Sequence, residues 1–137
     1  MMPRVSVIIP TYNRLILLKN SVSSVLSQTY RDFELLVIDD CSTDDTYDEM
    51  AKIADKRVRY IKNTSNKGIS ATRNIALSNT NGKYIAFLDD DDEWMPDKLE
   101  KQLNIIENSS KGLGCVYTGY NSINLDGKSL NQANMPR

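Results

Sequence analysis

Four times in succession a short apolar run is followed by a segment whose apolar residues return at helical spacing, and this alternation constrains the fold more than any other feature. The first run, residues 5–9, is rich in β-branched side chains and is closed by Pro10, the pattern of a strand buried on both faces. Leu15, Leu18, Val22, Val25 and Leu26 then fall on one helical face, with Lys19, Ser23 and Ser27 on the other, which predicts an amphipathic helix over residues 15–28. A second run, residues 33–38, stops at Asp39 and Asp40. Ser42 with Asp45 three residues later reads as a capping box opening a helix to residue 54. A third strand is expected at 58–61, polar turn material at 63–68, and a helix at 70–77 packed through Ala71, Ile75 and Ala76. The fourth strand, 84–88, runs straight into Asp89, Asp90, Asp91 and Asp92; Pro96 fits the first turn of a helix carrying Leu99, Leu103 and Ile106. Strands joined by helices pair in parallel, so the expected fold class is α/β, a mostly parallel sheet with helices on both faces.

The tail departs from this rhythm. Residues 115–120 read as a strand, Asp126-Gly127 as a hairpin turn after Ile123, and residues 129–137 show no strand or helix pattern. A length of 137 residues without repeats or linkers predicts one domain.

Composition excludes several chemistries. Lys and Arg number 17 against 18 Asp and Glu, interspersed along the chain, so there is no basic stripe and nucleic acid is not an expected partner. The chain has no histidine, which removes Ser-His-Asp and Cys-His catalysis and leaves carboxylates, lysines, tyrosines or a bound metal. Two cysteines, Cys41 and Cys115, make neither a disulfide framework nor a zinc site, which predicts a reducing compartment. The apolar runs are far shorter than the roughly 20 residues of a membrane-spanning helix, and the N-terminus lacks a signal-peptide core. A cytoplasmic location is expected.

In an open parallel sheet, ligands bind beyond the carboxyl ends of the strands, and three of these ends carry polar or acidic groups: residues 11–14, Asp39-Asp40, and residues 89–92. Unit charges about 4 Å apart repel by about 1 kcal/mol even in water, so a cation is expected at the four-aspartate run. In an extended chain Asp89 and Asp91 face one way and Asp90 and Asp92 the other, so an Asp-x-Asp pair meets one ion. Mg or Mn suits such a pair, because these ions are held by one or two carboxylates together with substrate phosphates. The plainer alternative is that Asp92, Glu93 and Asp97 favour the start of the next helix through its dipole. Asp39 and Asp40 are open to the same capping explanation. Residues 66–74 form a loop leading into a helix, where backbone amides with Lys67 and Arg73 meet phosphate or a base, or else simply cap that helix. Gly127-Lys128-Ser129 ends like a phosphate-binding loop but has Ser122 where the glycine is required.

Four blocks, Val5-Ser-Val-Ile-Ile-Pro-Thr-Tyr-Asn-Arg14, Val37-Ile-Asp-Asp-Cys-Ser-Thr-Asp44, Asn66-Lys-Gly-Ile-Ser-Ala-Thr-Arg-Asn74 and Phe87-Leu-Asp-Asp-Asp-Asp-Glu-Trp-Met-Pro96, resemble in order and spacing the N-terminal part of family 2 glycosyltransferases of the GT-A fold. The resemblance runs from end to end of the chain. It implies a Rossmann-like GT-A domain in truncated form and inverting transfer of a sugar from a nucleotide-diphosphate donor, commonly UDP, to an acceptor hydroxyl. Mg or Mn would sit at the Asp-x-Asp. By position, the resemblance implies donor binding by Pro10, Thr11, Tyr12, Asn13, Arg14, Asp40, Lys67, Gly68, Arg73, Asp89 and Asp90, with Thr11 to Asn13 lining the nucleoside pocket and Asp40 on the base. Asp91, with Asp89, is the implied metal ligand. The implied partners are a nucleotide-diphospho-sugar and a carbohydrate or lipid-linked acceptor, with peripheral contact to the inner face of a membrane through regions outside this chain. The family's general base is expected beyond residue 137, so the catalytic base is unassigned.

Three other readings compete. A phosphoacceptor receiver pairs acids around Mg, but on its first strand, whereas Asp39-Asp40 follow the second. A sugar-phosphate nucleotidyltransferase wants a glycine-rich loop where this chain has Pro-Thr-Tyr-Asn-Arg. A nucleotide-sugar-binding module without catalysis shares every feature above.

Overall fold

The computed structural model describes residues 2–110, 112–124 and 129–132. The chain divides into two compact units, residues 1–99 and 100–137. The first contains β1 (Val5–Thr11), α1 (Leu15–Leu26), β2 (Phe33–Asp39), α2 (Thr46–Ala51), β3 (Val58–Lys62), α3 (Ile69–Leu77) and β4 (Tyr84–Phe87). Its four strands form one wholly parallel sheet in the order β3-β2-β1-β4. The alternation of strand and helix thus produces the parallel α/β sheet it predicts.

β1 and β2 are buried at every position, as the apolar stretches 7–9 and 35–38 at their centres require, and Ser6 and Glu34, which interrupt them, hydrogen-bond to each other. On one face Ile8, Leu36 and Ile38 pack with Ala76 of α3, flanked by Ile61 and Ile75. On the other face Val7, Ile9, Leu35 and Val37 are equally sealed, and α1, whose Leu18, Val22 and Val25 are buried, lies against β1.

β1 runs through Pro10 to Thr11, past the expected stop. Pairing with β4 ends at Ile8↔Phe87 while pairing with β2 continues to Thr11↔Asp39, so the proline nitrogen falls where the β4 ladder has already ended and no strand bond is lost.

At the opposite end of the sheet, Gly82 lets the chain into β4 close against β1. A Cβ at this position would lie 2.5 Å from the Ser6 backbone nitrogen and 2.7 Å from its Oγ, and the Gly82 amide donates to that Oγ at 2.8 Å. Because a strand backbone cannot retreat, Gly82→Ala is expected to destabilise the protein by about 2 kcal/mol. A urea midpoint equal to that of the parent would contradict the close approach.

Several local expectations are corrected. The capping box does not form: α2 begins at Thr46, Asp45 makes no side-chain cap bond, and the Ser42 hydroxyl accepts from the Asn13 amide. Gln28 lies beyond α1 and is fully buried, donating through Nε2 to the Met95 carbonyl at 2.8 Å and accepting from the Leu99 amide at 3.0 Å. The fourth helix, α4 (Lys98–Asn108), starts two residues after Pro96, which sits in the turn before it.

In the second unit, residues 115–120 are not a strand; β5 (Asn121–Ile123) is, and it pairs antiparallel with β6 (Ser129–Gln132), where no strand was expected. The anticipated turn at Asp126-Gly127 lies outside the described residues. Among the described residues no helix is long and apolar enough to cross a membrane.

Candidate donor-binding site

The strand order fixes where a ligand can enter. The chain steps from β1 outward to β2 and β3, then returns to the other side of β1 as β4, so the strand order reverses between β1 and β4. A crevice opens at such a reversal, beyond the carboxyl ends of the strands. There the structure has a cleft of about 440 Å³ lined by Pro10, Thr11, Tyr12, Arg14, Asp40, Asn66, Gly68, Ile69, Thr72, Arg73, Asp89, Asp90 and Asp91.

The acid run does not continue as an extended chain. It turns at Asp90 and Asp91, with the Asp92 amide donating to the Asp89 carbonyl at 3.1 Å. The outcome still separates the four acids. Asp90 is buried and accepts from Thr11 Oγ1 at 2.8 Å and Arg14 Nη1 at 3.2 Å. The Ser21 hydroxyl pins the turn from α1, 2.9 Å from the Asp90 carbonyl oxygen and 2.7 Å from that of Asp92. The side chains of Asp89 and Asp91 are left 52% and 48% exposed. Each nevertheless has an arginine: Arg73 donates to Asp89, and Arg14 Nη1 to Asp91 at 2.9 Å. The cation that mutual repulsion demands is therefore supplied in part by the protein itself. Desolvation, with the charges of Asp91 and Asp89, pushes the Asp92 carboxyl above its ordinary value.

Asp40 organises the far wall. It is 4% exposed and accepts from Asn63 Nδ2 at 2.8 Å, from the Lys67 amide at 2.9 and 3.1 Å and from the Gly68 amide at 2.8 Å. Burial alone would raise its pKa, but these bonds outweigh it and hold the carboxyl below the usual range. They also place Gly68, at a positive φ of 81° that favours glycine, immediately before α3, so that Ile69, Thr72 and Arg73 face the cleft. Asp39 turns away, accepting from the Ser42 amide at 2.7 Å and from the Tyr60 hydroxyl, whose pKa is raised by burial and by this carboxylate.

Two of the expected site residues do not line the cleft but hold the loops around it. Asn13, at φ 53°, binds the neighbouring loop through its own amide and through Oδ1, which accepts from the Thr43 amide. Lys67 contributes its amide to Asp40. The sequence reading missed Asn66, Ile69 and Thr72 as lining residues, although the loop containing Asn66 was singled out. Only the helical phase of α3, once its start is known, shows that Ile69, Thr72 and Arg73 share a face.

The donor set suits a hard divalent ion shared with a ligand. Asp89 and Asp91 offer exposed oxygen donors, while no three acidic or thiol side chains among the described residues form a cage. Mg or Mn bound by two carboxylates and completed by phosphate oxygens fits this arrangement.

Comparison with known proteins agrees with the geometry: the family model for glycosyl transferase family 2 matches residues 6–135. The chain belongs to this family. It is 46% identical over 106 residues to the UDP-Glc:alpha-D-GlcNAc-diphosphoundecaprenol beta-1,3-glucosyltransferase WfaP of Escherichia coli, covering 77% of this chain and 42% of the relative. Staphylococcus aureus TarS 1-349, solved with UDP-GlcNAc, superposes with a TM-score of 0.72 at 31% identity, over 76% of this chain and 31% of that one. The mannosyltransferase PcManGT of Pyrobaculum calidifontis, solved with GDP-Man and Mn2+, superposes with a TM-score of 0.71 at 27% identity, over 79% and 33%. The family 2 chain thus has the α/β architecture of GT-A glycosyltransferases, and it spans about half or less of the length of these relatives.

Proposed function

We propose that residues 1–137 are the donor-binding part of an inverting glycosyltransferase that takes a sugar from a nucleotide diphosphate, UDP foremost, for transfer to the hydroxyl of a carbohydrate or lipid-linked acceptor. The observation that carries this is the exposed Asp89 and Asp91 pair, flanked by Arg14 and Arg73 in a cleft at the β1/β4 reversal of a family 2 chain. Tyr12, 45% exposed among the residues lining the cleft, offers a flat face for a nucleobase, with Pro10 and Thr11 before it in the chain and the Asp40 amide bonded to the Thr11 carbonyl at 2.8 Å. Arg14 and Arg73 supply donors for diphosphate oxygens.

Asp91, with Asp89, would hold Mg or Mn; such an ion, when bound, offsets charge that develops on a departing diphosphate. The complexes of TarS with UDP-GlcNAc and of PcManGT with GDP-Man and Mn2+ support the reading, as does the lipid-linked acceptor in the name of WfaP. The base that deprotonates the acceptor is proposed to lie beyond residue 137, and the site to work on the cytoplasmic side of a membrane.

Calorimetry tests this directly. UDP is expected to bind tightly with Mn present and about tenfold or more weakly without it, and Asp91→Ala should lower affinity to the metal-free level, since the ion links carboxylate to diphosphate. Equal UDP affinity with and without metal would sink the assignment.

A further inference from the structure

Arg14, assigned above to the diphosphate, is already engaged by two carboxylates of the acid run. Its Nη1 lies 3.2 Å from Asp90 Oδ1 and 2.9 Å from Asp91 Oδ2, so one guanidinium nitrogen bridges two successive carboxylates at the place where a divalent ion would meet Asp91. The two contacts differ in kind. Asp90 is buried and further held by Thr11, whereas Asp91 is about half exposed and the Arg14 side chain is 52% exposed. An exposed ion pair of this sort contributes little and exchanges easily. Arg73 is less free on the other side, with its guanidinium 6.0 Å above the Phe87 ring and its Nε buried.

We propose that Arg14 is a displaceable counter-cation that holds Asp91 against divalent ions until a diphosphate arrives, so that metal and nucleotide load together. The inference rests on the donor-site reading above. A guanidinium bridging Asp90 and Asp91 repels a second cation from the same carboxylates. A diphosphate offers the guanidinium a more highly charged acceptor with bidentate geometry, and its turn toward the phosphate frees Asp91. Coupling between two ligands is reciprocal, so whatever raises metal affinity on adding nucleotide raises nucleotide affinity on adding metal by the same factor.

The test is Mn2+ binding to the full chain, followed by electron paramagnetic resonance with and without UDP, in the parent, Arg14→Gln, Arg14→Lys and Asp91→Asn. Without nucleotide, Arg14→Gln should bind Mn2+ about fivefold more tightly than the parent, the factor set by losing one exposed ion-pair competitor. Its gain in Mn2+ affinity on adding UDP should shrink correspondingly. Arg14→Lys, which keeps the charge, should stay near the parent. If Arg14→Gln binds Mn2+ no more tightly while Asp91→Asn removes binding, the metal site stands and the role of Arg14 is overturned. If Asp91→Asn leaves Mn2+ binding unchanged, the metal assignment fails and this inference with it.

Discussion

Asp40→Ala is expected to weaken UDP binding about 30-fold and to destabilise the fold by about 3 kcal/mol, because the buried carboxylate takes the amides of Lys67 and Gly68 and the shorter of the two bonds from Asn63 Nδ2, which also reaches Thr72 Oγ1 at 3.3 Å. Asn63 Nδ2 and the amides of Lys67 and Gly68 all converge on it, and each donor stranded away from water costs about 1–3 kcal/mol. The binding loss follows from the same bonds. They set the path of residues 63–68 and the start of α3, which carry Asn66, Gly68, Ile69, Thr72 and Arg73 to the cleft. Asp40→Asn retains one accepting oxygen but turns an N–H toward donors, so its losses should lie between. Urea unfolding and calorimetry read the two effects separately. Retention of parental UDP affinity in Asp40→Ala would show that the loop does not shape the donor site.

Glu34→Ala should cost a similar amount of stability, about 3 kcal/mol, and leave UDP affinity of the folded protein unchanged. Glu34 is 7% exposed at the amino end of β2, opposite the cleft. Its carboxylate accepts from Ser6 Oγ at 2.6 Å, the Asn81 amide at 2.6 Å, Asn81 Nδ2 at 3.1 Å and Arg59 Nη1 at 2.8 Å. Arg59 also donates to the Asn79 carbonyl at 2.8 Å, so one acid ties β1, β2, β3 and the turn before β4 together. Removing it takes the carboxylate partner from Arg59 and leaves the Ser6 hydroxyl, the Asn81 amide and Asn81 Nδ2 without the acceptor shown for them. Burial opposes ionisation of Glu34, but the bonds from Ser6, Asn81 and Arg59 prevail and lower its pKa below 4.5. With the folded value depressed, its contribution is fully present above the unfolded pKa and is lost as pH falls from about 4.5 through the folded value. Glu34→Gln should therefore flatten the stability profile in that acid window; an unchanged slope would mean that other acids carry it.

These two acids show where sequence reasoning reached and where it stopped. Both end up buried at the margin of β2. Asp40 was singled out because it follows the carboxyl end of a strand, where ligands gather, whereas nothing in the spacing around Glu34 pointed to Ser6, Arg59 or Asn81, which lie 28, 25 and 47 residues away. The capping box failed for a related reason. Ser42 and Asp45 satisfy the pattern, but the Asn13 amide, 29 residues distant, takes the serine hydroxyl.

What the sequence by itself determined is what local periodicity sets, namely the alternation of strand and helix, the parallel sheet it entails and the position of acids at strand ends; the family came separately, from the resemblance of the four motif blocks. Those features depend on neighbours a few residues apart, which is the range over which hydrophobic spacing has meaning. The tertiary structure alone decided the strand order β3-β2-β1-β4, and with it the meeting of Thr11 and Arg14 with acids 76 to 79 residues further on. It also decided which aspartates stay exposed. An extended chain would have alternated them by pleat, but the run turns at Asp90 and Asp91, and Ser21 and Thr11 bury Asp90 while Asp89 and Asp91 face the cleft. The physical reason is that burial and counter-charge come from residues far along the chain, and no spacing within a run of four identical residues records which of them a distant hydroxyl will hold.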